Sequence, residues 1–223
     1  MPSRTHTPSP AQVTMETDWI VRLYESRVWR RNPALAVLMG ITFDREYEII
    51  SQAMRLTGSE VILDLACGTG IYARRIAREV SRGAVLGFDL SQPMLRHAKG
   101  LVNRDGLSNV MLLQGDALAL PFSGGRFDVV NCGGALHLFG DLARALGEIS
   151  RILKEGGHFT FATFRNRGTR FSEQVVRLRH DLSGMNAFRP DEIESELRKI
   201  GFDQVECHHA KRIWLIMSAT KAR

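Results

Sequence analysis

The chain has 223 residues, 44% hydrophobic and 24% charged, and 30 Lys+Arg against 24 Asp+Glu give a formal charge of +6. These are values of an ordinary globular chain, long enough for one α/β domain with a substantial core and a small cap. Basic residues come in short scattered groups such as Arg74-Arg75-Arg78, which read as solvated faces and not as a nucleic-acid footprint; three widely spaced cysteines (Cys67, Cys132, Cys207) give neither a metal site nor a disulfide framework; and no stretch reaches the roughly 18 apolar residues of a membrane span.

Residues 1–16 are polar and Pro/Ser-rich, lack the apolar core of a signal peptide, and read as a disordered tail. A reducing, cytoplasmic setting is the simplest one for the cysteines. Residues 17–57 are patterned as a helical cap. Trp19, Ile20, Leu23 and Tyr24 recur at helical spacing until Pro33, a second piece ends at Gly40, and Asp44 is the expected cap of a third helix through Tyr47, Ile50 and Met54. From Glu60 the rhythm changes. Short β-rich runs at 61–66, 84–89, 109–114, 127–132 and 157–163 alternate with helical segments at 71–80, 93–104 and 142–153. That alternation predicts a parallel, doubly wound sheet. Ser91 and Pro93 mark a helix start, and Glu155-Gly156-Gly157 is the expected stop of the helix before the fifth strand. A basic stretch, 165–189, holds one helix around 171–182. A helix at 191–200 and two runs at 204–209 and 213–218, spaced as a hairpin, complete the core, which spans 58–223.

The stretch LDLACGTGIYARRI (63–76) passes from an apolar strand through a glycine turn into a helix, the way an α/β sheet approaches a nucleotide. Gly68-x-Gly70-x-x-Ala73 fits a dinucleotide fingerprint, so an NAD(P) oxidoreductase is one reading. Three carboxylates favour a different ligand. Asp64 precedes the glycines, where it would repel a pyrophosphate and welcome an amine or sulfonium. Asp89 closes the second strand, 19 residues after Gly70, where it can accept from both ribose hydroxyls. Asp116 closes the third strand, where it can accept from an adenine amine or serve as a turn residue. A cationic adenosine compound, S-adenosylmethionine (SAM), suits this set better than a dinucleotide.

The blocks VILDLACGTGIYARRIA (61–77), VLGFDLSQPMLRHAK (85–99), LLQGDALALPFSGGRFDVVNCGGALHLF (112–139) and ALGEISRILKEGGHFTFATF (145–164) resemble class I SAM-dependent methyltransferases of the group that includes ubiquinone- and menaquinone-biosynthesis C-methyltransferases. The N-terminal WRRNPALAVLMGITFDREYE is similar to plastid and cyanobacterial members. The resemblance implies a Rossmann-like α/β fold, a seven-stranded sheet in the order 3-2-1-4-5-7-6 with one strand antiparallel, and SAM as cofactor. It would turn Asp64 and the loop Ala66, Cys67, Gly68, Thr69 and Gly70 toward the methionine part of SAM. Asp89 would hold the ribose, with Leu90 and Met94 near the adenine. Gly115, Asp116 and Ala117 would meet the adenine edge, and Asn131 and Cys132 would lie by the methionine part. Ala66 stands where many members carry Gly.

His137 is the one acid/base candidate near the end of the fourth strand, and a packing role is its alternative. After that strand, amino-methylating nucleic-acid enzymes show a D/N/S-P-P-Y/F/W tetrapeptide. Here Asn131-Cys132-Gly133-Gly134 lacks both prolines, which argues against an RNA methyltransferase and for a small-molecule acceptor. The cap and the 165–189 stretch are expected to form a lid. Its aromatics (Trp19, Tyr24, Trp29, Phe43, Tyr47, Phe171, Phe188) stand among arginines and suit a planar, apolar or anionic natural-product, quinone-like or lipid-like acceptor. O- or C-methylation is expected, by a monomer or homodimer. A methyltransferase-fold protein that binds SAM without methylating is a further reading.

Overall fold

The computed structural model describes residues 32–223. In the cap, Asn32 accepts from the Ala34 N–H (2.9 Å) and starts helix α1 (Pro33–Met39), which Gly40 ends in the left-handed region at φ 75°. Helix α2 (Phe43–Met54) is capped by Thr42, whose hydroxyl accepts from Arg45 N–H (3.3 Å). The expected cap, Asp44, instead sits in the first turn and pairs with Arg75 at 2.6 Å. Thr42 takes the role because its backbone is extended there, as a capping residue's must be.

Strands and helices then alternate: β1 (Val61–Leu65), α3 (Ile71–Glu79), β2 (Ala84–Asp89), α4 (Gln92–Arg104), β3 (Val110–Gln114), β4 (Phe127–Gly133), α5 (Leu142–Ile152) and β5 (Leu153–Phe164). They are followed by α6 (Arg170–Ser183), α7 (Pro190–Lys199), β6 (Phe202–Lys211) and β7 (Trp214–Lys221). The sheet order is β3-β2-β1-β4-β5-β7-β6, and β7 alone runs antiparallel to its neighbours. The chain winds outward from β1 to β3 and returns to lay β4 beside β1. That reversal opens a crevice at the carboxyl ends of the strands, where α/β sheets bind ligands.

Alternate residues of each central strand feed two cores. Ile62, Val129 and Ile216 pack on one face with α2 and α3, while Leu63, Val130 and Leu215 pack on the other with α5 and α7. Burial on both faces explains the near-continuous apolar runs of β1, β4 and β7. One local expectation fails. Glu155-Gly156-Gly157 does not stop a helix, because α5 already ends at Ile152, and Leu153 enters the sheet by pairing with Phe127. The glycines serve an irregularity inside β5: Gly156 has φ 73°, and a Cβ on Gly157 would sit 2.9 Å from the Lys154 carbonyl.

Candidate functional site: a cavity at the strand ends

Between β1 and α3 the chain turns through Ala66 (φ 54°), Gly68 (φ 54°) and Gly70 (φ 75°). Cys67 N–H reaches the Phe88 carbonyl (3.2 Å) and so extends the β1–β2 ladder into the loop. Gly70 occupies the cap position of α3 without a side chain to offer. Asp64 supplies what is missing: its Oδ2 accepts from Ala73 N–H, in the first turn of α3, at 2.9 Å. Its Oδ1 accepts from Asn131 Nδ2 on β4 at 2.7 Å, and Asn131 Oδ1 accepts from the Thr160 hydroxyl on β5 at 3.1 Å. A buried polar chain therefore ties β1, α3, β4 and β5 beneath the loop. A carboxylate already set at the start of α3 also leaves that helix end poorly suited to a pyrophosphate.

Above this floor lies a cavity of about 510 Å³. Its polar part holds the ends of β2 and β3. Asp89 accepts from Gly68 N–H and from Ser91 N–H, both at 2.8 Å, so one carboxylate fixes the glycine loop and the start of α4. Asp116 accepts from Leu118 N–H (2.9 Å) in a side-chain turn. Leu90, Met94 and Ala117 supply apolar surface around these two acids. The rest of the cavity is walled by α1 and α2 (Leu35, Met39, Phe43), by Phe164 and Met185, and by Trp214 at the start of β7.

His137 lies on the short Leu136–Leu138 turn after β4 and lines the cavity. It is 6% exposed, its Nδ1 is 3.4 Å from the Thr163 hydroxyl, and its ring centre is 4.2 Å from that of Phe164. Burial, aided by the charge of Arg179, pushes its pKa down to about 3, so the ring is neutral at physiological pH. The Cys67 and Cys132 thiols are driven the other way, chiefly by burial, and remain protonated. Neither is poised as a nucleophile.

Of the residues expected to meet the cofactor, Ala66, Cys67, Asp89, Leu90, Met94, Gly115, Asp116 and Ala117 line the cavity. Asp64, Asn131 and Cys132 do not; they form the floor, because the strand alternation turns them into the sheet's packing layers. Gly68, Thr69 and Gly70 shape the loop without contributing to the cavity wall. Of the expected lid aromatics, Phe43 is in the wall. Tyr47 is turned away, donating its hydroxyl to Glu79 and packing against Arg75 (4.9 Å). Phe188 packs on the core beneath α7. Trp19, Tyr24 and Trp29, and the side chain of Phe171, lie outside the described residues.

Among the described residues, the cavity is lined by no lysine or arginine, and its charged members are Glu46, Asp89 and Asp116. The arginines of residues 17–31, part of the expected lid, lie outside the described residues. Sequence reasoning also missed Glu46, Tyr72 and Trp214. Glu46 had a readable signal, since it stands four and eight residues before the fully buried Ile50 and Met54 on one helical stripe. Trp214 had none, because its position depends on which strands flank β7.

Residues 62–157 match the model of a methyltransferase domain. Over that stretch the chain carries a methyltransferase domain of the class I, SAM-dependent type. It is 45% identical over 103 residues to the demethylmenaquinone methyltransferase of Lactococcus lactis, covering 46% of this chain and 40% of that one. It is 30% identical over 161 residues to an uncharacterised chloroplastic methyltransferase of Arabidopsis thaliana, covering 70% and 45%. The chain thus spans about half or less of the curated relatives it matches. Phosphoethanolamine N-methyltransferase 2 of Haemonchus contortus, solved with SAM, shares the fold at TM-score 0.75 and 19% identity over 94% of this chain and 58% of that one.

The cofactor that the methyltransferase domain implies is SAM. The residues at the strand ends fit it: the Asp89 carboxylate for ribose hydroxyls, Asp116 for an exocyclic amine, and Leu90, Met94 and Ala117 for a flat apolar ring. Bound there, SAM supplies a methyl group already activated on a sulfonium. Among the described residues, no group of three or more His, Cys, Asp or Glu could hold a metal ion. Nor is any helix among them long and apolar enough to cross a membrane.

Proposed function

We propose that this methyltransferase transfers the methyl group of SAM to an oxygen or carbon of a small, largely apolar acceptor of quinone-like, lipid-like or natural-product type. One observation carries the reading: a single cavity joins the acidic strand ends to a wall of Leu, Met, Phe and Trp side chains. A sulfonium needs little activation, so the protein's main contribution is proximity and alignment in a site poor in water. The demethylmenaquinone methyltransferases among the relatives support a quinone-like acceptor. Met185, from the 165–189 stretch, supports its assignment as part of the acceptor lid. His137 shapes the acceptor wall in this scheme and leaves the proton to another group, since an imidazole held near pKa 3 is a weak base.

The test is calorimetry with SAM followed by turnover with phenolic, quinol and structured-RNA substrates. SAM binding with methylation of a quinol or phenol is the expected result. Binding of NAD in place of SAM, or methylation of RNA alone, overturns the proposal.

A further inference from the structure

The Leu136–Leu138 turn after β4 sets His137 in the cavity wall, where its ring is held from several sides. The Phe164 ring lies 4.2 Å away and the Trp214 ring 6.4 Å away, centre to centre. The backbone is tied as well, since the His137 carbonyl accepts from Asn186 N–H at 2.8 Å. Nδ1 faces Thr163 on β5, whose hydroxyl is 3.4 Å distant. Thr163 is fully buried, and Nδ1 is the one partner its hydroxyl has among the described residues. A buried hydroxyl left without a partner costs about 1–3 kcal/mol.

A neutral imidazole has one bare nitrogen and one N–H. With the proton on Nδ1, that N–H would point at the Thr163 oxygen and the hydroxyl proton would be stranded. With Nδ1 bare, the Thr163 O–H donates to it, and the ring proton sits on Nε2. Burial, aided by the Arg179 charge, keeps the ring neutral, so the second arrangement is the one that leaves nothing in the wall unpaired. Nε2 itself has no hydrogen-bond partner among the described residues. Nor is it one of their sealed and unpaired side-chain atoms, which are Arg165 Nε, Arg179 Nε, His209 Nε2 and Trp214 Nε1. In a side chain that lines the cavity, a nitrogen neither bonded nor sealed opens on that cavity.

We infer that His137 is a specificity-determining residue that offers an Nε2–H, fixed in that tautomer by Thr163, to an oxygen of the methyl acceptor. The inference rests on the proposed methyl transfer and narrows its acceptor to a molecule with a hydroxyl, enolate or carbonyl oxygen on the part that enters beside the turn. A ring with its proton on Nε2 cannot take another there, so His137 anchors the acceptor and is not the base. The bond is strongest to a phenolate or enolate oxygen, because a charged acceptor roughly doubles its strength. An amine bound as its ammonium form has no lone pair to accept it.

The test has two arms, both on the full chain. In nitrogen-15 NMR with labelled histidine, the His137 signals are assigned by their loss in His137→Gln, and at pH 7 the proton is expected on Nε2. A proton on Nδ1, or on both nitrogens, overturns the inference. Thr163→Val should release the other tautomer; an unmoved tautomer overturns the part given to Thr163. In the second arm the chain is loaded with S-adenosylhomocysteine and titrated with 2-naphthol and naphthalene in calorimetry. The wild type binds 2-naphthol about tenfold more tightly than naphthalene. His137→Leu loses this preference while naphthalene binding changes little, and His137→Gln, which retains a side-chain N–H, keeps most of it. A His137 that only packed would leave the preference unmoved in His137→Leu, and that result, equal binding of both probes to the wild type, or binding of neither overturns the inference. If His137→Leu does not fold, the tautomer and the two probes on the wild type still decide. Failure of the methyl-transfer reading registers separately, in the SAM titration.

Discussion

The proposed cofactor half of the cavity stands on the ends of three adjacent strands, whereas the proposed acceptor half is walled by side chains from α1, α2, the Leu136–Leu138 turn and the start of β7. In the first, backbone and carboxylates hold one another: Asp89 fixes Gly68 and Ser91, and Asp64 beneath it joins α3 to Asn131. In the second, the described wall is mostly apolar and the fit is set by side-chain volume. A site of this kind can change its acceptor by substituting Phe43 or Met185 without disturbing how SAM is held. Function then resides in the wall and not in the fold.

The sharpest way to break that contrast is to remove the floor common to both halves. Asp64→Ala leaves the Ala73 N–H and the Asn131 amide without their carboxylate. It should cost roughly 3–5 kcal/mol and lower Tm by roughly 10 °C in thermal unfolding. A drop under about 3 °C would mean the floor is not what holds the halves together. Next comes Asp89→Ala, which should weaken SAM binding by about a hundredfold through two lost charged hydrogen bonds and a loosened glycine loop. Binding of a phenolic probe such as 2-naphthol, measured on the same protein, should stay within a few-fold; if both fall together, the halves are one unit.

A smaller effect probes the acceptor side through pH. His137 is neutral in the fold down to about pH 3, while in the unfolded chain it protonates near its ordinary 6.5. Stability contributed by the neutral ring is therefore complete above pH 6.5 and declines as pH falls from 6.5 toward 3. By pH 5 the loss is about 2 kcal/mol. His137→Asn should reduce this acid sensitivity in denaturant titrations at pH 7 and 5. It should not abolish it, since burial also lowers the pKa of His158, His208 and His209. The smallest effect is Ala66→Gly. Relief of a left-handed Ala of about 1 kcal/mol is mostly offset by glycine's entropy, so Tm should rise by no more than about 3 °C.

The cofactor half was legible in the chain because its parts follow one another: Ala66, Asp89 and Asp116 each stand at or just past the end of a strand, and each strand is announced by its own apolar run. Asp64 has a structural role that the chain does not announce. Its place before the glycines reads as ligand-facing, and in the fold Gly70 brings no capping side chain, so the N–H of Ala73 donates to one of its oxygens. The acceptor half was largely hidden. His137, Phe164 and Trp214 come together at a place fixed by strand order and long-range pairing, which no local periodicity encodes.

The position of β7 has a consequence in time as well as in space. It lies between β5 and β6, pairing seven residues with each, and carries Trp214 into the acceptor wall. During synthesis the strands beneath the cofactor half, β1 to β4, emerge at least 80 residues before residue 214. The emerging chain can thus shape a place for SAM while β5 still presents an open edge, and the acceptor wall closes only when residues 214–221 slip into that gap. The site that chooses where the methyl goes is the last part of the sheet to exist.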